Sequence, residues 1–345
     1  MPATSAPSRN PDLMQLYHMG GPWIGQTMYV AAELGLADHL GPEPRSVAEL
    51  AALTGADEDV LYRFCRVLAA MGALHAHPGR RFSLTEAGGI LRSDAPGGFR
   101  YGVMLQSGAC FRAWTEVMHT VRTGRPAFDK VHGAAYYDYL EANPAENELF
   151  NRAMGVTSLA PAVAALERYD FSGIGRLVDV GGGVGTLLAA VLRMNPGMTG
   201  VVQDLATVTA EAPDHLAEQG VEGRVEVVSA SFFDSVVPGA DAYVLSRVLH
   251  NWSDEDCLRI LGRVHEAMPP HARLIVVDSV VPDGGGLHPS MLADLFMMVI
   301  LGGKERTEQD WRELLDAAGF RMTRAVQAEN TGDTLVHALV EAVRR

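Results

Sequence analysis

Three sets of residues in this chain have the types and spacing to do chemistry. The first is His250, in the run Leu249-His-Asn-Trp-Ser-Asp-Glu255. Ser253 to Asp256 reads as a helix cap, which leaves the histidine in the turn before that helix. A neutral imidazole is a sound proton acceptor at physiological pH. A phenol, which titrates at about 10, needs such an acceptor if its oxygen is to act as a nucleophile. The rate is then expected to rise with pH through a group at about 6 to 7. The competing reading is a structural histidine bonded to backbone.

The second set is the glycine cluster of Leu177-Val-Asp-Val-Gly-Gly-Gly-Val-Gly185. Arg176 to Val180 reads as a buried strand, the glycines as a tight turn, and the helix formers from Thr186 run until Asn195-Pro196-Gly197. Strand, glycine turn and helix are the first unit of an α/β nucleotide fold. A dinucleotide needs G-x-G-x-x-G. Here Gly181, Gly183 and Gly185 give G-x-G-x-G, with Thr186 in the third glycine's place, which disfavours a nicotinamide cofactor. The third set is Asp204, about twenty residues further on at the end of the next strand, where a carboxylate can grip a ribose diol. A ribose grip without a pyrophosphate site suggests S-adenosylmethionine.

These residues need a sheet to hold them. Strands are expected at Arg176 to Val180, Thr199 to Gln203, Val225 to Ser229, Ala242 to Ser246 and Arg273 to Asp278, with a final pair near Met322 to Ala328 and Thr334 to Val340. Helices fill the gaps. Ligands of such sheets bind beyond the carboxyl ends of the strands, which gathers Asp204, Ser231, Phe232, Arg247 and Asp278 around one crevice. Asp278 ends an apolar strand, where a carboxylate is either paired or functional. Glu305 stands between Lys304 and Arg306, whose charges suit a solvated turn.

The 345 residues suffice for two domains, and 48% hydrophobic with 20% charged residues is ordinary for a globular protein. A net charge of -14 argues against nucleic acid and anionic membrane as general partners. Cys65, Cys110 and Cys257 are scattered, which fits a reducing, cytoplasmic setting. No apolar run is long enough for a membrane span. The polar stretch through Pro11 is expected to be loose.

Leu13 to Leu40 carries an apolar helical pattern that wants a partner. Ser46 and Glu49 form a capping box, a second helix starts at Asp57-Glu58-Asp59, and Leu74 to His77 with Arg81 to Leu84 reads as a hairpin. The order suggests a winged helix. Its basic and acidic side chains nearly balance, so the stripe that phosphate binding needs is missing and a dimerisation domain is the better reading. His75 and His77 alternate on the hairpin without further ligands. Phe99 to Arg168 is helical, broken at Gly124-Arg125-Pro126 and Asn143-Pro144, and rich in aromatic residues that fit core packing or a flat pocket wall.

Taken together, the chain resembles the S-adenosylmethionine-dependent O-methyltransferases of the plant caffeate type and their bacterial natural-product relatives. The likeness rests on the glycine run, Gln203-Asp204-Leu205, Ala230-Ser-Phe-Phe-Asp234, the run around His250, and Gly302-Gly-Lys-Glu-Arg-Thr-Glu308. The resemblance implies an α/β Rossmann-like methyltransferase sheet domain with a winged-helix-like dimerisation domain before it. The expected boundaries are a flexible 1–12, dimerisation over 13–100, a helical connection contributing to the substrate pocket over 101–170, and cofactor binding over 171–345. It implies that Asp204 binds the ribose and that Gly181, Gly182 and Gly183 approach the methionine part. Ser231 and Phe232 would hold the adenine beside Arg247, with Asp179 and Leu205 in the same set. His250 would be the base, oriented by Asp278 and Glu305, with no metal. Met154, Asn251, Asp294 and Met298 would line the pocket for a small aromatic hydroxyl in a homodimeric enzyme. Against the plant pattern, Ala230-Ser231 replaces Gly-Asp, Arg247 replaces Lys, and Asn251 replaces Asp.

Overall fold

The computed structural model describes residues 21–95, 99–157, 159–284, 287–327 and 338–345. They form two compact units. One holds the described residues up to Phe111 with Glu148–Ala153, the other Arg112–Asn147 and Met154–Arg345.

In the first unit the helix Trp23–Glu33 ends before Gly35, which turns left-handed (φ 61°), and the short helix Leu36–His39 follows. The single helix expected from Leu13 to Leu40 is thus broken at a residue free to take that conformation. Its first residues lie outside the described ones, as does the expected loose stretch 1–12. Ser46 and Glu49 close the expected capping box at the start of Val47–Thr54. Asp57 caps Glu58–Ala70 by accepting from the Val60 N–H. Leu74–His77 (β2) and Arg81–Leu84 (β3) form the hairpin, and Arg45–Ser46 (β1) adds a third strand in the order β1-β3-β2. Leu50, Leu61, Cys65, Leu68 and Phe82 fill the core, each large side chain contributing about 1.5 to 3 kcal/mol. On an adjoining face of Glu58–Ala70 and its cap, Val60, Val67 and Met71 form an apolar stripe, 48%, 39% and 38% exposed. His77 bonds the Ser83 hydroxyl at 2.9 Å, and no third ligand gathers with it among the described residues.

The second unit is built on a seven-stranded sheet. Its strands are β4 (Arg176–Val180), β5 (Thr199–Asp204), β6 (Val225–Ser229), β7 (Ala242–Ser246), β8 (Arg273–Asp278), β11 (Phe320–Gln327) and β12 (Ala338–Arg344), in the order β11-β12-β8-β7-β4-β5-β6. β4 to β8 are parallel, and β12 lies antiparallel between β8 and β11. From β4 the chain winds one way through β5 and β6 and the other way through β7 and β8. The switch point, and the crevice it makes, therefore lies beyond the carboxyl ends of β4 and β7. Val178 and Val180 pack with Tyr243 and Leu245 on one face, while Leu177 packs with Val202 and Val244 on the other.

Two departures from the expected strands stand out. The last strand covers Ala338–Arg344 among the described residues, running past the expected end at Val340. Glu341 looks out of place in a buried strand, but its carboxylate accepts the Tyr169 hydroxyl at 2.5 Å and the Thr323 hydroxyl at 2.8 Å. Residues 328–337 lie outside the described ones. The sequence also hid a parallel pair of two-residue strands, β9 (Val280–Val281) and β10 (Arg306–Thr307), in which Arg306 is opposite Val280. Before the sheet, the expected break at Gly124 is present and another occurs at Gly133 (φ 74°). Phe128 is fully buried with Tyr136 and Tyr139 edge-on at 5.0 and 5.3 Å, so Phe128 and Tyr136 are core and the half-buried Tyr139 packs at its edge. No helix among the described residues is long and apolar enough to cross a membrane.

Candidate functional site

β4 delivers the chain into the glycine turn and β5 delivers Asp204 beside it. The Asp204 carboxylate accepts the Gly183 N–H at 2.9 Å through Oδ2 and the Leu205 N–H at 2.7 Å through Oδ1. A Cβ on Gly182 would lie 2.6 Å from Asp179 and 2.9 Å from Val202, so only glycine fits there. Gly183 is different. Its φ is 63°, and nothing stands within 4 Å of where a Cβ would point. Asp179 is buried, its Oδ2 has no hydrogen-bond partner among the described residues, and burial with the nearby Asp204 charge pushes it up to about 7. An orphaned acceptor and open backbone beside a ribose-type carboxylate fit a cofactor bearing both a diol and a cationic group. Phe232 walls the turn from the far side, 3.4 Å from a Cβ on Gly181, and stands edge-on to Trp252. Ser231 accepts the Phe233 N–H at 3.2 Å, while Leu205 is over half exposed.

Past β7, His250 lies in a single 3-10 turn, Leu249–Asn251, and Ser253 caps the helix Asp254–Ala267 as expected. His250 is 3% exposed. Its Nδ1 stands 2.9 Å from Glu305 Oε1 and 3.7 Å from Asp278 Oδ1. Asp278 arrives at the end of β8. Glu305 arrives because β9 and β10 pair, and its N–H donates to Asp294 Oδ1 at 2.9 Å. Arg247 takes a left-handed φ of 58°, a strained choice for a non-glycine residue, and its Nη1 sits 3.4 Å from both Asp278 and Glu305. The solvated turn suggested by the charges around Glu305 is not what forms. Glu305 and Arg306 are both buried.

The electrostatics follow from burial. Desolvation pushes Asp278 and Glu305 above the usual carboxylate range, opposed by Arg247. Burial first and Arg247 second hold His250 down to about 3, against the upward pull of Asp278. An imidazole titrating at about 6 to 7 therefore does not describe this site; the ring is neutral throughout the working pH range. Ligand atoms of His250, Asp278 and Glu305 lie within 4.8 Å of one another, a spacing an ion could bridge. The Arg247 guanidinium already stands against both carboxylates.

The structure therefore brings His250, Asp278, Glu305, Arg247 and Asp294 into one cluster, and Asp179, Gly181, Gly182, Gly183, Asp204 and Phe232 into another. Asn251 spends its amide on the Arg247 carbonyl at 3.0 Å. Met154 and Met298 are half-buried on their helices. Tyr137 is 42% exposed as a whole, yet its hydroxyl end is desolvated enough to be pushed up to about 12, with Arg247 and Asp204 pulling it in opposite directions. That places its phenol within electrostatic reach of both clusters. The sequence offered it as one of many aromatics. Arg306 was missed as a site residue because nothing in a charged run marks one member as buried.

The O-methyltransferase domain family matches residues 114–321, and the O-methyltransferase dimerisation domain matches residues 16–94. The O-demethylpuromycin-O-methyltransferase of Streptomyces alboniger is 42% identical over 300 residues, covering 86% of this chain and 80% of that protein. The phenazine O-methyltransferase PhzM of Lysobacter antibioticus is 37% identical over 306 residues, 89% of this chain and 90% of that one. Among solved structures, the O-methyltransferase NcsB1 from neocarzinostatin biosynthesis, in complex with S-adenosylmethionine and 2-hydroxy-5-methyl naphthoic acid, superposes with a TM-score of 0.81. It is 31% identical, with 99% of this chain and 100% of that one covered.

Proposed function

Since the chain belongs to the S-adenosylmethionine-dependent O-methyltransferases, we propose that His250 is the general base for methylation of a phenolic hydroxyl on a small aromatic natural product. The observation that carries this reading is the 2.9 Å contact between His250 Nδ1 and Glu305. A carboxylate can only accept, so Nδ1 carries the proton and Nε2 is left as the nitrogen with a lone pair. Names of relatives such as the phenazine and puromycin enzymes support a hydroxylated aromatic acceptor.

Bound S-adenosylmethionine would supply an electrophilic methyl group, with S-adenosylhomocysteine as the by-product. Asp204 would take the ribose hydroxyls, the Gly181 to Gly183 turn and Asp179 would receive the methionine part, and Ser231, Phe232 and Leu205 would hold the adenine side. Nε2 of His250 draws the acceptor's hydroxyl proton as the oxygen becomes nucleophilic. The imidazolium so formed is stabilised by Asp278 and Glu305, with Arg247 fixing both acids. Met154, Met298 and the free atoms of Asn251 and Asp294 shape the acceptor pocket. Two copies pair through the dimerisation domain.

The test is a panel of hydroxylated phenazines, naphthoates and benzoates with methyl-labelled S-adenosylmethionine. Label on a ring oxygen supports the reading. Label on amine analogues alone, with no phenol methylated, overturns it.

A further inference from the structure

Arg306 is fully buried, and every part of its guanidinium is used. Nε and Nη2 both reach Asp254 Oδ1, at 3.1 and 2.6 Å. Nη1 donates to the carbonyls of Leu249 at 3.1 Å and Lys304 at 3.2 Å, and Nη2 to the carbonyl of Trp252 at 3.3 Å. Nη2 also meets Cys257 Sγ at 3.4 Å, and the group lies 5.3 Å from the Trp311 ring centre. Two of these carbonyls flank His250 and a third precedes Glu305. Between them the Lys304 N–H donates to the His250 carbonyl at 2.9 Å, and Gly303 permits that approach, since a Cβ there would sit 2.0 Å from the same oxygen.

A buried cation is expensive, and replacing a buried ion pair by apolar groups is often neutral for stability or better. Stability alone therefore explains this arginine poorly. What its planar five-donor fork does, and an apolar side chain or a single ammonium would not, is fix several carbonyls of two separate segments in one geometry. We propose that Arg306 is a positioning residue that holds the His250 turn and the Glu305 strand in register, so that Nδ1 meets its carboxylate. The inference rests on the reading of His250 as base. The charged groups facing the ring are Arg247, Asp278, Glu305 and Arg306 itself.

The experiment compares Arg306→Lys, Arg306→Met and Asp254→Asn with the wild type by turnover, by KM for the acceptor, by S-adenosylhomocysteine affinity, and by the downfield proton resonance of the His250 Nδ1–H. That resonance is identified by its loss in His250→Ala. Arg306→Lys is expected to lower kcat by about ten-fold or more, as small misplacements at a reacting centre do, and to abolish the resonance. Cofactor-product affinity is expected to stay within about two-fold, which a general loss of structure would not allow. Should the Arg306 variants fail to fold, Asp254→Asn carries the test. Its side chain is 56% exposed, so the change buries nothing new; the resonance should weaken and kcat fall with affinity unchanged. Wild-type kcat with an intact resonance in whichever variant folds overturns the proposal. If instead His250→Ala keeps its turnover, the base reading fails, while the resonance still reports whether Arg306 sets the pair.

Discussion

His250 and Glu305 are 55 residues apart in the chain, yet Nδ1 of one stands 2.9 Å from a carboxylate oxygen of the other, with both side chains buried. The contact is brought about by the pairing of two very short strands, β9 and β10, which carries Glu305 to the end of β8. With Glu305 ionised, the carboxylate accepts from Nδ1 and sets the tautomer. Burial and Arg247 lower the ring's affinity for a proton and Asp278 partly restores it, so the imidazole is neutral at rest.

For the cofactor, Asp204→Ala should weaken S-adenosylmethionine binding by on the order of 1.5 to 3 kcal/mol through loss of charge-assisted bonds to the ribose. Asp204 also accepts the Gly183 N–H, so part of the loss is slackening of the turn. Calorimetry with S-adenosylhomocysteine measures it, and unchanged affinity would remove Asp204 from the ribose.

The pH profile should lack an imidazole step in the neutral range. With His250 held at about 3, no inflection at about 6 to 7 that depends on His250 is expected in kcat between pH 5.5 and 8. A rise toward high pH would reflect the acceptor's own phenol, at about 10 when unperturbed. A neutral-range step that vanishes in His250→Gln would contradict the burial described for the ring.

Asp179 should make stability pH-dependent in the opposite sense from an ordinary carboxylate. Its pKa is raised from 3.8 to about 7 on folding. The folded state therefore binds more protons, and the stabilisation present below about 4 is lost as pH rises through about 7. Asp179→Asn removes that loss and should raise stability at pH 8 by on the order of 1 to 4 kcal/mol, with the gap closing toward pH 4. Thermal melts at the two pH values check this. A gap independent of pH would point to packing and not charge.

Much of this was legible in the sequence. Five parallel strands, the glycine turn and Asp204 follow from period and turn chemistry within single segments. Asp278 was legible because a carboxylate closing an apolar strand needs a reason. Glu305 was ambiguous, since Lys304 and Arg306 beside it look like a solvated turn. Only long-range pairing of two-residue strands, too short to show periodicity, buries them. The same limit applies to the ring's proton affinity, because burial and the Arg247 contact belong to the fold and not to the residue's neighbours in the chain. The final strand was expected to end too early, at Val340, because Glu341 finds its partners, Tyr169 and Thr323, far away in the sequence.

Self-association should be visible at micromolar concentration. Trp23 and Ile24 are 46% and 43% exposed, and the Val60, Val67 and Met71 stripe stands open on the dimerisation unit. Sedimentation should show a dimer, and Val67→Glu should weaken it. A monodisperse monomer of the unaltered chain would remove the claim.

The most direct test of His250 as the base is turnover of His250→Ala on a phenol that the unaltered enzyme methylates, with cofactor affinity measured alongside. The expected result is a fall in kcat of roughly a hundred- to ten-thousand-fold with S-adenosylhomocysteine affinity almost unchanged, and a smaller fall in Glu305→Gln, whose amide oxygen can still accept from Nδ1. Near-normal turnover in His250→Ala would contradict proton removal by this residue and leave positioning alone to explain the transfer.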